Sequence, residues 1–322
     1  MRNRRIKNFW VSVLTLSISL VNFTAVYAQK VQQVAPFFAP RVITAPGTYY
    51  ILTQGNSRFL ESKFKIPQGE LTDTCIVIYE FFPTQGTFKV VARSAFVRHF
   101  YGATYFKGRI IIAGGYNANG AATNTVYEFD LNMRKWHEHK SAMLQKRAEF
   151  ALEVCGNALY AVYGDEKNTV EKFNETIGKW ETVARNISGD IKPLKKVRNS
   201  VAIDNYIYLF ADGGELQVFN ASNGNISKGP TPPAQLSFFG ITACNRKIFM
   251  AAGCDKSGID YNVYLLNTVD NSWKTAGKIS VDLCGSGLVC HGRMLIFVGG
   301  SPTHMFEQTT PTGSIFIYRP MY

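Results

Sequence analysis

Helical periodicity is nowhere sustained in this chain of 322 residues, so neither a bundle nor a helix-covered parallel sheet is expected. Long apolar runs are also scarce. The one candidate, residues 11–21, is interrupted by Thr15, Ser17 and Ser19, and no later stretch approaches the ~20 apolar residues that a span requires. A membrane-spanning chain is therefore not expected. The glycines make no dinucleotide fingerprint. After Gly114-Gly115 comes Tyr-Asn-Ala-Asn-Gly, with no third glycine in place and no amphipathic helix following. The Asp-box pattern Ser-x-Asp-x-Gly-x-x-Trp is missing. His137 and His139 alternate on one strand as an incidental surface pair, and Asp204, Asp212 and Glu215 have no partner carboxylate at a suggestive spacing. No catalytic residue, metal or cofactor is assigned, and no nucleic-acid partner is expected.

The first 28 residues carry a different signal. Arg2, Arg4, Arg5 and Lys7 precede the apolar stretch, and Val26-Tyr27-Ala28 offers small residues where a signal peptidase reads. A secretory signal peptide cleaved after Ala28 is expected, with residues 29–40 as an N-terminal segment. Four Asn-x-Ser/Thr sequons follow, at Asn174, Asn186, Asn220 and Asn225, which suits an extracellular, secreted glycoprotein. All six cysteines lie beyond the signal, an even number compatible with an oxidising compartment. Removing the four basic residues takes the formal charge from +12 to +8, a moderate excess that permits acidic partners.

What is present in abundance is a repeat. Apolar runs end in glycine at Gly55, Gly114-Gly115, Gly164, Gly213-Gly214, Gly253 and Gly299-Gly300. After each run an aromatic residue or leucine stands seven residues before a Trp or a bulky substitute: Phe81 and Phe88, Phe129 and Trp136, Phe173 and Trp180, Phe219 and Ile226, Leu266 and Trp273. The first members, with Tyr318 as the sixth, are 48, 44, 46, 47 and 52 residues apart. A fixed offset inside a period near 47 signals a propeller or array. Each unit reads as four short strands; in the second these are 99–106, 109–113, 125–130 and 135–140.

These landmarks resemble the kelch-repeat family. That motif has a glycine pair ending its second strand, a Tyr in the third and a Trp in the fourth. Gly114, Gly115, Tyr127 and Trp136 match it most fully; Gly213, Gly214, Gly299 and Gly300 keep the pair; Gly164 and Gly253 keep half; Trp180 and Trp273 keep the Trp. The resemblance covers residues 41–322 and implies an all-β propeller, most simply of six four-stranded blades. The last blade ends after its third strand, so the N-terminus must supply the fourth. Residues 31–38 are the mature candidate, although repeat spacing puts that strand's Trp position near Gln29.

Strand order places the second-to-third loops and the blade links on one side, here the glycine face. The long loops 56–74, 116–124 and 301–314 fall there, while Asn174, Asn220 and Asn225 fall in turns of the far face. The resemblance implies arginines ringing the axis on the glycine face, and it maps them to Arg98, Arg147 and Arg198. Lys192, Lys195, Lys196 and His99 lie beside them. The same position holds leucine in the last two units, and a purely structural role for the arginines is the alternative. Cys254 and Cys284, in neighbouring blades on this face, are expected to pair, with Cys244 and Cys290 next. Two functions remain: a binding module for an acidic protein or glycan, and a sugar-acting enzyme of the kelch oxidase or epimerase kind. No adaptor domain is expected ahead of the repeats.

Overall fold

The computed structural model describes residues 27–29, 40–53, 76–164, 168–184, 191–302 and 315–319. These contain strands and turns but no helix. Six four-stranded antiparallel sheets form, each in meander order apart from the last. The innermost strands are Arg41–Ala45, Gly102–Phe106, Ala151–Cys155, Asn199–Ile203, Gly240–Cys244 and Gly287–His291. Each touches the next, and the last returns to the first, closing a six-bladed β-propeller. A small hairpin, Gly253–Asp255 with Gly258–Asp260, projects between the second and third strands of blade five.

The continuous apolar second strands follow from burial on both faces. In Arg109–Ala113 (RIIIA), Ile110 and Ile112 pack into the cluster shared with blade one, while Ile111 and Ala113 pack into the cluster shared with blade three. Side chains alternate across a strand, so a strand sandwiched between blades needs apolar residues at every position. The hairpin turns between first and second strands carry left-handed pairs such as Lys107 (φ 47) and Gly108 (φ 82), which match strand twist.

The glycine landmarks have two separate causes. At the second position a Cβ is excluded by the chain entering the adjacent inner strand. On Gly115 it would lie 2.7 Å from the His99 carbonyl oxygen, and on Gly164 2.5 Å from Phe150 Cβ. The first position takes a left-handed backbone, and at Gly114 a Cβ would also lie 2.5 Å from the Arg147 carbonyl oxygen. Tyr163 (φ 63) and Ala252 (φ 55) supply it where blades three and five keep half the pair.

Residues 31–38, the expected closing segment, lie outside the described residues. The fourth strand of blade six is Tyr27–Gln29, paired with Ile315–Tyr318 so that Gln29 faces Ile315. This is where the repeat spacing points, and it straddles the expected cleavage point at Ala28. Two disulfides tie blade five to blade six. Cys254–Cys284 sits on the glycine face and Cys244–Cys290 on the far face, with Cα separations of 5.8 and 5.9 Å. Cys155 is a buried free thiol.

Candidate functional site

Backbone bonds between consecutive blades fix the register at the axial end of the glycine face. Glu149 N–H donates to the Phe100 carbonyl (3.0 Å), Val197 N–H to that of Glu149 (2.7 Å) and Gly285 N–H to that of Phe238 (2.6 Å). Phe100, Glu149, Val197, Phe238 and Gly285 are thus equivalent, each two residues ahead of its inner strand. Two positions earlier come Arg98, Arg147, Lys195, Leu236 and Leu283.

This register separates the three expected arginines. Arg147 is wholly buried. It is ion-paired with Glu171, and it donates to the Tyr163 carbonyl (2.7 Å) and the Thr169 hydroxyl (3.0 Å). Glu171, also wholly buried, accepts from Leu144 N–H (2.7 Å) and Gln145 N–H (3.0 Å). Desolvation lowers the Arg147 pKa and Glu171 opposes that shift. Arg98 is buried too, donating to the Val97 carbonyl (2.7 Å) and the Thr125 hydroxyl (2.9 Å) and lying over the Phe96 and Tyr127 rings. His99 is fully buried and bridges to Tyr116; desolvation first, and Arg98 second, bring its pKa down to about 4, so it is neutral. These three residues are blade scaffold and present no surface to a ligand.

Arg198 is not their equivalent. Blade four has two extra residues, Ala211 and Asp212, between its second strand and its glycine pair, and Gly213 N–H makes the bond to Leu236 that Gly115 makes to Arg147. Counting back from the glycines therefore stops short, and Lys195, three residues before Arg198, holds the matching place. Arg198 instead stands at the axial mouth. It donates to Asp212 (2.5 Å) and Glu149 (2.6 Å) and lies 5.8 Å over the Phe100 ring. Lys196 reaches the other Glu149 oxygen at 2.9 Å. Lys192, Lys195 and Lys196 are exposed and Arg198 is half-buried.

Two residues that the motif does not mark complete the mouth. Arg41 opens the inner strand of blade one, within electrostatic reach of Tyr101, Glu153, Arg198 and Glu149, and burial lowers its pKa. Glu153, on the inner strand of blade three, accepts from the Ser200 hydroxyl at 2.6 Å. Burial raises its pKa to about 7 against the opposing pull of Ser200 and Arg41. Arg41 belongs to the unit with the poorest glycine match, and Glu153 alternates with apolar residues on an ordinary strand, so neither stood out in the sequence.

The described residues contain no cluster of His, Cys, Asp and Glu able to hold a metal, and no helix long and apolar enough to cross a membrane. Among the sequons, Asn174 and Asn220 are half-buried and Asn225 is exposed; Asn186 lies outside the described residues.

A family model described as "Kelch motif" matches residues 98–138, the second blade. Kelch repeat and BTB domain-containing protein 2 of cowpox virus (strain GRI-90 / Grishak) is 26% identical over 67% of this chain and 34% of its own length. Kelch-like protein 40 of Xenopus tropicalis is 31% identical over 33% of this chain and 19% of its own. The chain thus spans about a third or less of the curated relatives it matches. The matched motif, the recurring glycine and Trp landmarks and the closed ring of six blades agree with one another: the chain is a six-bladed β-propeller whose second blade carries a kelch motif.

Proposed function

We propose that the chain is a protein-interaction module whose ligand surface is the axial mouth of the glycine face, and that its partner presents carboxylates there. The kelch-repeat relationship supports interaction as the general role. The observation that supports the site is the collection of Arg198, Lys196 and Arg41 about Glu149 and Asp212, with Lys192 and Lys195 exposed on the same blade link. Guanidinium and ammonium groups on a concave surface draw anionic segments and orient them.

The same proposal includes secretion. The signal-like first 28 residues, the four sequons and two cystines linking blades five and six all suit an oxidising, extracellular setting. Cleavage after Ala28 would remove two of the three residues of the closing strand and leave Ile315–Tyr318 as the outer edge of blade six.

The test is binding of an acidic peptide library in a salt series, with heparin as a parallel arm for sulfated glycans. Replacing Lys195, Lys196 and Arg198 by Ala should abolish retention and flatten its salt dependence while the protein stays folded. Undiminished binding by that folded variant would sink the proposal, and retention on heparin with no peptide bound would move it to glycans.

A further inference from the structure

Two of the fourth-strand tryptophans share one hydrogen bond, and Trp180 lacks it. Trp136 donates its indole N–H to the Arg93 carbonyl (2.9 Å), and Trp273 donates to the Pro230 carbonyl (3.0 Å). Arg93 stands five residues after Phe88 and Pro230 four after Ile226, the Trp positions of the preceding blades. The matching acceptor for Trp180 is the carbonyl of Lys140 or Ser141, four or five residues after Trp136. His139 intervenes there: its Nδ1 lies 3.0 Å from both the carbonyl oxygen and the amide nitrogen of Ser141. Trp180 is buried, at 4% exposure, and its Nε1 has no acceptor among the described residues. A buried donor without an acceptor is rare in folded proteins and calls for an explanation.

The same indole lines a cleft of about 80 Å³ between blades two and three. Lys107, in the first-to-second turn of blade two, and Glu175, in the third-to-fourth turn of blade three, put its mouth on the far face. Inside, Ile111, Val126, Leu159 and Trp180 belong to one apolar cluster, with Phe106 and Phe173 packed against it. The His139 ring meets Phe173 edge-on at 5.0 Å, and Phe173 meets Trp180 at 5.5 Å. The charged groups of the cleft are paired with one another. Lys107 bonds Glu175 across the two blades at 2.5 Å, and Arg109 holds Glu128 at 3.2 Å. A charged ligand must compete with these pairs, whereas an uncharged one leaves them intact. The volume is several times the roughly 10–15 Å³ that one water needs.

We infer that this cleft binds a small uncharged ring compound whose oxygen accepts the Trp180 indole N–H. Aromatic lining favours a ring through stacked or edge-on contacts. A single buried donor in an apolar pocket fixes the ligand's orientation and selects against isosteres that lack the acceptor. The site lies on the face opposite the axial cations and is independent of them.

Three probes of similar size test this on the full chain, with the indole N–H signals followed in proton–nitrogen correlation spectra: acetophenone, ethylbenzene and benzoate. Acetophenone should move the Trp180 signal saturably and leave those of Trp136 and Trp273 in place. Ethylbenzene, which has no acceptor, should bind roughly tenfold more weakly, and benzoate should also bind more weakly than acetophenone. In Trp180→Phe the preference for acetophenone over ethylbenzene, read by calorimetry, should vanish. If that variant does not fold, Overhauser contacts from the acetophenone methyl to the Trp180 and Phe173 rings of the unaltered protein decide the same point, and their absence at saturation overturns the site. A Trp180 signal that acetophenone leaves unmoved, or moves without saturation, also overturns it. Equal binding of acetophenone and ethylbenzene overturns the role of the indole, and tighter binding of benzoate overturns the uncharged ligand.

Discussion

The contact between blades two and three and the contact between blades five and six solve one problem with different chemistry. Four residues ahead of the inner strand, blade three carries Arg147, wholly buried against Glu171 and the carbonyl of Tyr163. Blades five and six carry Leu236 and Leu283 there, also buried, and two disulfides cross-link the pair above and below. The arginine knits together loops whose backbone groups would otherwise lack partners. The leucines need no such partners, and the cystines restrict the unfolded chain instead. A recurrent arginine in this position is therefore no sign of a ligand. In this molecule the exposed Lys196 and the half-buried Arg198 lie on the next blade link, beside Glu149.

The comparison can be broken most forcefully at Arg147. Arg147→Leu, copying blades five and six, leaves Glu171 charged and buried, and a loss of about 3–5 kcal/mol in unfolding free energy is expected by chemical denaturation. Adding Glu171→Gln should recover part of it. If Arg147→Leu alone were neutral, the ion pair would not be what holds this contact.

Removing the glycine-face cystine by Cys254→Ser and Cys284→Ser should cost about 2–4 kcal/mol. A reductant should then have a smaller further effect than it has on the unaltered protein. The Arg147 variant, by contrast, should respond to reductant as fully as the parent, because its lesion lies in the other half of the ring.

The channel gives a third, smaller effect. The folded-state pKa of Glu153 is raised to about 7, above its value in an unfolded chain. The folded protein then holds a proton that the unfolded chain releases from about pH 4.5 upward. This contribution to stability is present at low pH and is lost as pH rises towards 7. Glu153→Gln should remove that slope and raise the unfolding free energy at pH 8 by about 1–2 kcal/mol, after allowance for the partial exposure of Glu153. An unchanged slope would mean that Glu153 is well solvated.

The smallest expected difference concerns two tryptophans at equivalent motif positions. Trp136 donates its indole N–H to the Arg93 carbonyl at 2.9 Å, whereas the buried Trp180 Nε1 has no partner. Trp136→Phe should therefore cost about 1 kcal/mol more than Trp180→Phe through the lost hydrogen bond. Thermal melts of the two variants side by side give the answer.

The fold was largely legible because its signals are local and repeated. A glycine forced by close approach, a Trp seven residues after an aromatic and a strand buried on both faces recur in every blade or nearly so. Repetition turns weak signals into a register. The glycine count fails where that register slips: Ala211 and Asp212 set the glycine pair of blade four two residues further on, and Arg198 does not match Arg98 and Arg147. Hydrogen bonds between blades reveal the slip, and they are invisible in a linear pattern.

By itself the sequence determined the repeat, the β-strand content and the six-unit count. Each follows from the alternation of side chains and from the steric demands of glycine, which act within a few residues. Only the tertiary structure decided which cations are buried and which face a partner. Burial depends on which segments the fold brings together, here Glu171 of the same blade to Arg147 and Glu149 of blade three to Arg198 of blade four.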